Sequence, residues 1–259
     1  MKHSKKQLKE DLMHLGICPG DMVLMHSSYK ALGGVEGGAQ AFFEAFIELL
    51  GENGTLILPS LTFAYVTREN PLFDYDQTPS CVGYLSEYFR TSVNGVVRSM
   101  HPTHSCCAIG KYKYELVKNH ELDFTPVGEN SPFTKLPEYD GKILFLGCGT
   151  GSNTSMHGVE ETVETPYCLD KANPVDYVLK KGDKIIEQKG AIRHDFNTEY
   201  GHVAQRYGRI VDLLENDEVS FGKVLEADCC LMSAAAVWKK GHNMLVKDPL
   251  WFVDYPATK

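Results

Sequence analysis

The sequence predicts an α/β fold, in which residues 1–259 form a single layered α/β/α domain around a central mixed, largely parallel sheet. Two observations support this prediction. Short apolar runs of strand length alternate along the chain with segments whose apolar residues recur at helical spacing, as they do in α/β proteins. No repeat, low-complexity tract or linker-like stretch divides the chain, and 259 residues suffice to bury a substantial core.

The elements of the first half follow from their periodicity. In the helix predicted at 38–50, the side chains of Phe42, Phe46 and Leu49 share one face. In chain order, this half is predicted to contain a strand at 21–27, a helix at 38–50, a strand at 55–60, a helix at 82–91 and strands at 96–98 and 105–109.

The second half contains the most convincing strand of the chain, at 142–147, where residues 143–146 form a continuous apolar run. After it, the pattern predicts a hairpin at 176–188, a helix near 202–214, a strand near 223–231 and a short helix at 233–240. The long polar loop at 67–79 in the first half is expected to be either a lid or a surface excursion.

Composition and charge exclude several classes of protein. With 26 basic and 34 acidic residues, the chain carries a net charge of −8 at pH 7, which excludes a nucleic-acid partner and favours a cationic small molecule. No apolar run approaches the roughly 20 residues that a membrane helix needs. The amphipathic N-terminal segment also lacks the apolar block of a secretion signal. We therefore expect a cytoplasmic protein without a membrane partner.

The most informative stretch of the chain is 154–164. If it is helical, His157, Glu160, Glu161 and Glu164 stand at i, i+3, i+4 and i+7 and share one face. Such a face is typical of a solvated acidic helix that carries a lone histidine. On periodicity alone that interpretation is the favoured one, and the alternative is a general base with an orienting acid and further carboxylates that attract a cation.

His157 is the predicted general base. With Thr154 as the N-cap residue, His157 falls in the first helical turn, where the positive end of the helix disfavours imidazolium and keeps the ring neutral. Glu160, one turn further on, is predicted to accept the other ring N–H and so fix the tautomer.

No metal is expected, because His157 and Glu160 without a convincing third ligand make a poor zinc site. The eight cysteines form no Cys-x-x-Cys pair, and most of them lie in apolar strand-like runs. That distribution favours reduced, buried thiols over disulfides or structural zinc.

The glycine-rich segment at 147–151 is similar to the cofactor-binding turn of S-adenosylmethionine-dependent methyltransferases. Phe145 stands where those enzymes usually carry an acid, and Pro166 interrupts the passage to the second strand that they need. We favour the interpretation that these glycines turn the chain sharply at a strand end. The methyltransferase remains an alternative, as does a non-catalytic protein that binds polyamines with its acidic face.

Several segments together resemble the aminoglycoside 3-N-acetyltransferase family. Their order and spacing match over roughly residues 5–165, and more loosely through the C-terminal third. The segments are His26-Ser-Ser28, Gly33-Gly34 with Gly37-Gly38, Gly54-Thr-Leu-Ile-Leu-Pro59, Arg98-Ser-Met-His-Pro-Thr-His-Ser105, Ser131-Pro132 and Thr154-Ser-Met-His-Gly-Val-Glu160. The resemblance implies acetyl-coenzyme A as the donor and an amine, expected to be the 3-amino group of an aminoglycoside, as the acceptor.

The resemblance also implies where the coenzyme binds. It assigns to coenzyme A the loop that carries Ser27 and Ser28, near Ser105, and the first two follow a predicted strand at the edge where open α/β sheets bind ligands. Arg98 is expected either to contact a coenzyme phosphate or to pair with a surface acid. Acetyl transfer is predicted to be direct, without an acyl-enzyme, because buried cysteines are usually inert.

The acceptor is expected to be held by acidic side chains, and Glu161, Glu164 and Asp74 are the candidates for binding its other ammonium groups. Cys106, Cys107 and Cys148 stand where the family more often has apolar or small residues. These departures leave the identity of the acceptor open, and a homo-oligomeric state is also left open.

Overall fold

The computed structural model describes residues 2–198 and 201–255. Its helices are α1 (Lys5–Leu15), α2 (Gly38–Leu50), α3 (Tyr84–Ser92), α4 (Lys113–Val117), α5 (Pro132–Lys135), α6 (Ser155–Thr162) and α7 (Ala234–Lys247). Its strands are β1 (Met22–Ser27), β2 (Thr55–Pro59), β3 (Leu72–Asp74), β4 (Val97–Arg98), β5 (Cys106–Gly110), β6 (Lys142–Leu146), β7 (Val175–Lys181), β8 (Lys184–Ala191), β9 (Asn197–Thr198), β10 (Gly201–His202), β11 (Ala204–Gln205), β12 (Val219–Val224), β13 (Ala227–Ser233) and β14 (Val253–Asp254). Within these residues, no helix is both long enough and apolar enough to cross a bilayer.

A seven-stranded sheet forms the centre of the molecule, in the order β12-β13-β6-β1-β2-β5-β4. β1 pairs in parallel with both β6 and β2, whereas the other neighbouring pairs of this sheet are antiparallel. The predicted α/β class and mixed sheet are confirmed, but antiparallel pairs outnumber parallel ones, contrary to the expectation of a largely parallel sheet. The difference arises at the two edges, where the hairpin β12–β13 and the pair β4–β5 add antiparallel strands to the three parallel strands in the middle.

Helices cover both faces of this sheet. Successive side chains of a strand point to opposite faces, so Val23 and Met25 of β1 pack with α1, α2 and α3, whereas Met22 and Leu24 pack with α6 and α7. Both faces of the central strands are therefore buried, which is why these strands are continuous apolar runs in the sequence.

A smaller sheet, in the order β3-β7-β8, has its own apolar core, which includes Phe73 and Tyr177. The segment after β8 returns toward the main sheet, where Arg193 donates hydrogen bonds to the carbonyls of Phe63 and Val66 and to the Tyr177 hydroxyl. These bonds hold the segment after β8 against the loop that follows β2.

Most of the predicted elements are present, and α2 spans 38–50 as predicted, but the C-terminal third departs from the prediction. The strand expected near 223–231 is the hairpin β12–β13, which turns at Leu225 and Glu226. Leu225 has φ 54°, and its backbone N–H is bound by the Asp11 carboxylate. Because neither turn residue is glycine, asparagine or proline, the local sequence does not indicate this turn.

The helix expected near 202–214 is also different. Its first residues form the short strands β10 and β11, and only Tyr207–Leu213 is helical, as a 3-10 helix. β11 pairs with β14, about 50 residues further along the chain, a long-range contact that local periodicity does not reveal. The helix expected at 233–240 continues to Lys247 as α7.

The parallel strands β2, β1 and β6 share a direction, so their carboxyl ends lie side by side at one end of the main sheet. This end is called here the carboxyl edge. In open α/β sheets, ligands bind outside the carboxyl ends of such strands. The loops after β1, β2 and β6, together with the start of α6 and the segment after β8, surround this edge.

Candidate active site

Two adjoining cavities lie at the carboxyl edge of the parallel strands, and Leu61 lines both of them. The larger, of about 270 Å³, is called here the histidine cavity, and its lining includes Phe63, His104, His157, Arg193, His194 and Phe196. The smaller, of about 170 Å³, is called the serine cavity, and its lining includes His26, Ser27, Cys148, Ser152 and Thr154.

His157 is the third residue of α6 and therefore lies in the first helical turn, as predicted, and its side chain lines the histidine cavity. Thr154 precedes the helix but makes no side-chain cap, and the Ser155 N–H is instead bound by the side-chain oxygen of Asn153. Thr154 is thus the N-cap residue of α6, as predicted, while the side-chain acceptor at this end of the helix comes from Asn153.

A chain of hydrogen bonds runs from His157 into the core. The Nδ1 atom of His157 lies 2.8 Å from the Tyr207 hydroxyl, which in turn lies 2.8 Å from the Glu160 carboxylate. The same carboxylate, which is fully buried, accepts a second hydrogen bond of 3.0 Å from the Tyr167 hydroxyl. The closest approach between His157 and Glu160 is 3.8 Å, so the predicted direct bond is wrong and Tyr207 bridges the two residues.

This chain determines where the protons lie. Burial and the neighbouring Glu160 carboxylate raise the pKa of Tyr207 well above its usual value, so Tyr207 stays protonated and donates to Glu160. Its oxygen is then free to accept the N–H on Nδ1 of His157. The resulting tautomer places the lone pair of His157 on Nε2.

Glu161 lies behind the histidine cavity and does not face it. Its carboxylate lies 2.7 Å from Nε2 of His194 and accepts the Val127 N–H at 2.9 Å. Burial raises the pKa of Glu161 to about 7. Both contacts are made by Oε1, whereas Oε2 is buried without a hydrogen-bond partner among the described residues. The role of Glu161 in binding an acceptor ammonium group stays a prediction.

Glu164 and Asp74 also have other partners. Glu164 lies beyond the end of α6, has φ 50°, is exposed and forms an ion pair with Lys171 at 2.7 Å. Asp74, at the end of β3, binds the backbone N–H groups of the next turn and pairs with Lys180 at 3.1 Å. Neither side chain lines the histidine cavity, and their roles in acceptor binding stay predictions.

Arg98 is buried and fully engaged by the protein. Its guanidinium donates to the carbonyls of Tyr75, Thr78 and Ser60, and to the Ser105 hydroxyl at 3.0 Å. Ser105 donates its own proton to the Ser60 carbonyl at 2.6 Å and is inaccessible to solvent. These groups satisfy one another, and no surface acid pairs with Arg98 among the residues described. The roles of Arg98 and Ser105 in coenzyme binding stay predictions.

Ser27 and Ser28 differ in their access to the site. Ser27, at the end of β1, lines the serine cavity together with Ser152 and Thr154. The backbone N–H of Ser28 is bound by the Leu146 carbonyl at 2.8 Å, so this donor is not available to a ligand. The serine cavity also contains His26, whose Nε2 atom is buried without a hydrogen-bond partner among the described residues.

The glycine-rich segment after β6 forms a tight turn. Gly147 has φ 66°, and a Cβ atom there would lie 2.5 Å from the Ala31 Cβ, so only glycine fits. The adjacent Cys148 is half-buried, and burial raises its pKa to about 11, as burial also does for Cys107. Thiols with raised pKa values are poor nucleophiles at neutral pH.

Three side chains at the site were not identified from the sequence: His104, His194 and Tyr207. His104 belongs to the quoted 98–105 segment, where spacing could have marked it. His194 follows β8 and Tyr207 begins a 3-10 helix that the periodicity predicted as part of a longer α-helix. The fold alone brings these segments beside α6.

A larger cleft of about 490 Å³ lies at the opposite edge of the sheet, beside Lys142 at the start of β6. Its lining includes Asp140, Asp217 and Glu218 but no histidine or cysteine. It therefore offers no group that would act as a base near neutral pH.

The chain is similar to known proteins in sequence and in fold. Residues 24–246 match the model of a family described as aminoglycoside 3-N-acetyltransferase. The chain is similar to the SPbeta prophage-derived aminoglycoside N(3')-acetyltransferase-like protein YokD of Bacillus subtilis (strain 168), with 30% identity over 250 residues, which cover 89% of this chain and 88% of that protein. It is also similar to aminoglycoside N(3)-acetyltransferase IV of Salmonella sp, with 28% identity over 256 residues, covering 97% of this chain and 91% of that protein.

The fold is similar to that of solved acetyltransferases. The crystal structure of a mutant of aminoglycoside acetyltransferase AAC(3)-IVa in complex with a gentamicin superposes with a TM-score of 0.82 at 26% sequence identity. The superposition covers 99% of this chain and 93% of that chain.

Proposed function

The chain belongs to the aminoglycoside 3-N-acetyltransferase family, and from this membership we propose that it acetylates an amino group of a cationic acceptor with His157 as the general base. The family confirms the enzyme class expected from the sequence, an acetyl-coenzyme A-dependent N-acetyltransferase. The proposed acceptor is an aminoglycoside, modified at its 3-amino group. The names of the relatives and the gentamicin complex support this choice, as does the net charge of −8.

The observation that carries the proposal is the chain of hydrogen bonds that links His157, Tyr207 and Glu160. Through this chain, Nδ1 of His157 is hydrogen-bonded toward the core. Nε2 is left as the proton acceptor, and His157 lines the histidine cavity. A general base needs a fixed orientation and the correct tautomer more than it needs a nearby charge. Tyr207 and Glu160 are therefore positioning residues, and His157 is the catalytic residue.

His157 addresses the main obstacle to the reaction. An alkyl ammonium with a pKa of about 10.4 costs about 4–5 kcal/mol to deprotonate at pH 7. In the proposed step, the bound ammonium first loses one proton to solvent through Nε2 of His157. The free amine nitrogen then attacks the thioester carbonyl while Nε2 takes the second proton that the nitrogen loses. The new C–N bond forms, the C–S bond breaks, and the departing coenzyme A thiolate receives the proton back from His157. The products are the acetamide and the free thiol.

The donor is proposed to enter by the serine cavity, which adjoins the histidine cavity at Leu61. The hydroxyls of Ser27, Ser152 and Thr154 line it, and the unpartnered Nε2 of His26 offers a further polar contact. These groups suit the amide and carbonyl groups of an acyl-coenzyme A arm better than they suit a charged ligand. The site thus fits the thioester end of the donor.

The acceptor is proposed to occupy the histidine cavity. Since Glu161, Glu164 and Asp74 face elsewhere, its other ammonium groups are proposed to lie against the aromatic rings of Phe63 and Phe196, which line the same cavity. Aromatic faces attract cations by about 0.5–2 kcal/mol each.

The test is product formation by the wild type and by His157→Ala, with acetyl-coenzyme A and a panel of aminoglycosides and simple polyamines. Products are read by mass spectrometry, because eight cysteines would interfere with a thiol-reactive dye. We expect His157→Ala to lower kcat by about a hundredfold or more, as loss of a general base does. His14→Ala is the matched control, since His14 is exposed in the last turn of α1. Near-normal turnover by His157→Ala would contradict the proposal.

The same preparation separates the two alternatives. Thermal protection by coenzyme A but not by S-adenosylmethionine is expected, and the reverse would favour the methyltransferase. Binding of aminoglycosides or polyamines without consumption of acetyl-coenzyme A would favour the non-catalytic binding protein.

A further inference from the structure

Three histidine rings converge at the histidine cavity from three different parts of the chain. His104 precedes β5, His157 belongs to α6 and His194 follows β8. One ring nitrogen from each lies within 4.8 Å of those of the other two. The centroid of the His194 ring lies 4.8 Å from that of His104 and 4.8 Å from that of His157. A general base needs one imidazole, so the other two require a separate explanation.

Each of the three rings is held through one nitrogen. The bonds join His104 Nδ1 to the Thr103 hydroxyl at 2.9 Å, His157 Nδ1 to the Tyr207 hydroxyl at 2.8 Å, and His194 Nε2 to the Glu161 carboxylate at 2.7 Å. The ring nitrogens that these three bonds leave available are Nε2 of His104, Nε2 of His157 and Nδ1 of His194. The last of these is buried without a hydrogen-bond partner among the residues described.

Such outer bonds are typical of metal-binding histidines. A metal ligand usually donates its second ring N–H to a carboxylate, a hydroxyl or a carbonyl, which fixes the tautomer and directs the other lone pair at the ion. The ring of His194 is bound in this way by the Glu161 carboxylate. The ring of His157 is bound by the Tyr207 hydroxyl, which in turn is bound by the Glu160 carboxylate.

The electrostatics also suit a cation bound by neutral imidazoles. Burial lowers the pKa values of His104 and His194 well below 6.5, so both rings are unprotonated at neutral pH, the state that binds metal. Glu160 and Glu161 provide two buried carboxyl groups behind the rings. Arg193 is the nearby positive group, and its guanidinium is directed at the carbonyls of Phe63 and Val66.

We propose that His104, His157 and His194 form a binding site for Zn²⁺, with three imidazole ligands and a fourth position open to the histidine cavity. Three nitrogen ligands with one open position form a tetrahedral site that zinc accepts readily. With Zn–N bonds of about 2.0–2.1 Å, the ligand atoms would stand about 3.3 Å apart. The present spread of up to 4.8 Å exceeds this separation, so the rings must move closer together, which histidine side-chain rotations can supply.

The expectation of no metal considered His157 and Glu160 as ligands without a convincing third, a pair that this proposal does not use. Glu160 faces the core, whereas His104 and His194 supply the two missing ligands. Because Nε2 of His157 cannot hold a metal ion and accept a proton at once, Zn²⁺ and acetyl transfer exclude each other. Metal binding itself is independent of the proposed function, and only this inhibition rests on it.

The experiment titrates the chelator-washed, full-length protein with Zn²⁺ by calorimetry and, in parallel, with Co²⁺ followed by visible absorption. We expect one ion per chain, with the visible bands of tetrahedral cobalt and without the near-ultraviolet band that thiolate ligands produce. His104→Asn and His194→Asn should each weaken Zn²⁺ binding at least tenfold. The matched controls His14→Ala and Cys18→Ser, both at exposed positions, should bind as the wild type does.

Failure to take up one equivalent of either metal would overturn the site, as would a thiolate band or unchanged affinity in both histidine variants. Thermal unfolding checks that the variants are folded, and the cobalt spectrum of the wild type decides the matter if either is not. Acetyl transfer should fall in proportion to Zn²⁺ occupancy and return on adding a chelator. Zinc binding without inhibition would leave the metal site standing and contradict the role of His157 as base.

Discussion

Two buried polar networks lie near the carboxyl edge of the sheet, and they differ in how they end. In the first, the Arg98 guanidinium donates its hydrogen bonds to backbone carbonyls and to the Ser105 hydroxyl, which all belong to the protein interior. Around His157, the chain through Tyr207 and Glu160 finishes at a ring nitrogen on a cavity wall. Both networks bury titratable groups, so burial alone does not identify a site. A functional site is identified instead by a polar atom that lines a cavity and has no partner within the protein.

The comparison predicts that the two networks respond to mutation in opposite ways. Loss of a group from the Arg98 network should lower stability and leave turnover of the folded protein unchanged. Loss of a group from the His157 network should lower turnover more than stability.

The largest effect on stability is expected for Arg98→Met. It removes a buried guanidinium and leaves the Ser60, Tyr75 and Thr78 carbonyls without their donor, at an expected cost of about 3 kcal/mol or more in the free energy of unfolding. Chemical denaturation measures the loss, and kcat and KM are measured well below the transition. A raised KM for acetyl-coenzyme A at unchanged stability would instead indicate that Arg98 contacts the coenzyme.

An intermediate effect, on turnover, is expected for Tyr207→Phe. Without the bridging hydroxyl, His157 loses the bond that fixes its tautomer, and kcat should fall by about ten- to a hundredfold with the acceptor KM little changed. Tyr167→Phe is the matched control, because it removes the other donor to Glu160 and leaves the bridge in place. Equal losses of turnover in the two variants would show that the charge of Glu160, and not the bridge, matters.

The same contrast explains what the sequence could and could not predict. His157 and Glu160 are three residues apart on one helix, so their spacing sufficed to place both in the same network. Tyr207 lies 50 residues later, and Ser105 meets Arg98 only because β4 and β5 pair. Contacts of that kind depend on topology and leave no local signal.

The acidic side chains lie in other surroundings than their helical spacing predicts, and the cause is local. The periodicity placed Glu164 on the helix face, but α6 ends at Thr162, before a proline at position 166 that disfavours helix in the preceding residue. Glu161 remained on the helix and was predicted to face a ligand, although His194 packs against it. Helical spacing predicts which side chains share a face, and not what covers that face.

The smallest effect is expected for Ser105→Ala, which makes the sharpest test of the comparison. The hydroxyl accepts from Nε of Arg98 and donates to the Ser60 carbonyl, so its loss leaves one buried charged donor unsatisfied and should lower the free energy of unfolding by about 1–2 kcal/mol. Turnover and both KM values should stay within about twofold of the wild type, because Ser105 lines neither cavity. Thermal and chemical unfolding measure the first quantity, and steady-state kinetics measure the second. A selective rise in the KM for acetyl-coenzyme A would mean that the buried network opens to the donor, and the distinction between the two networks would fail.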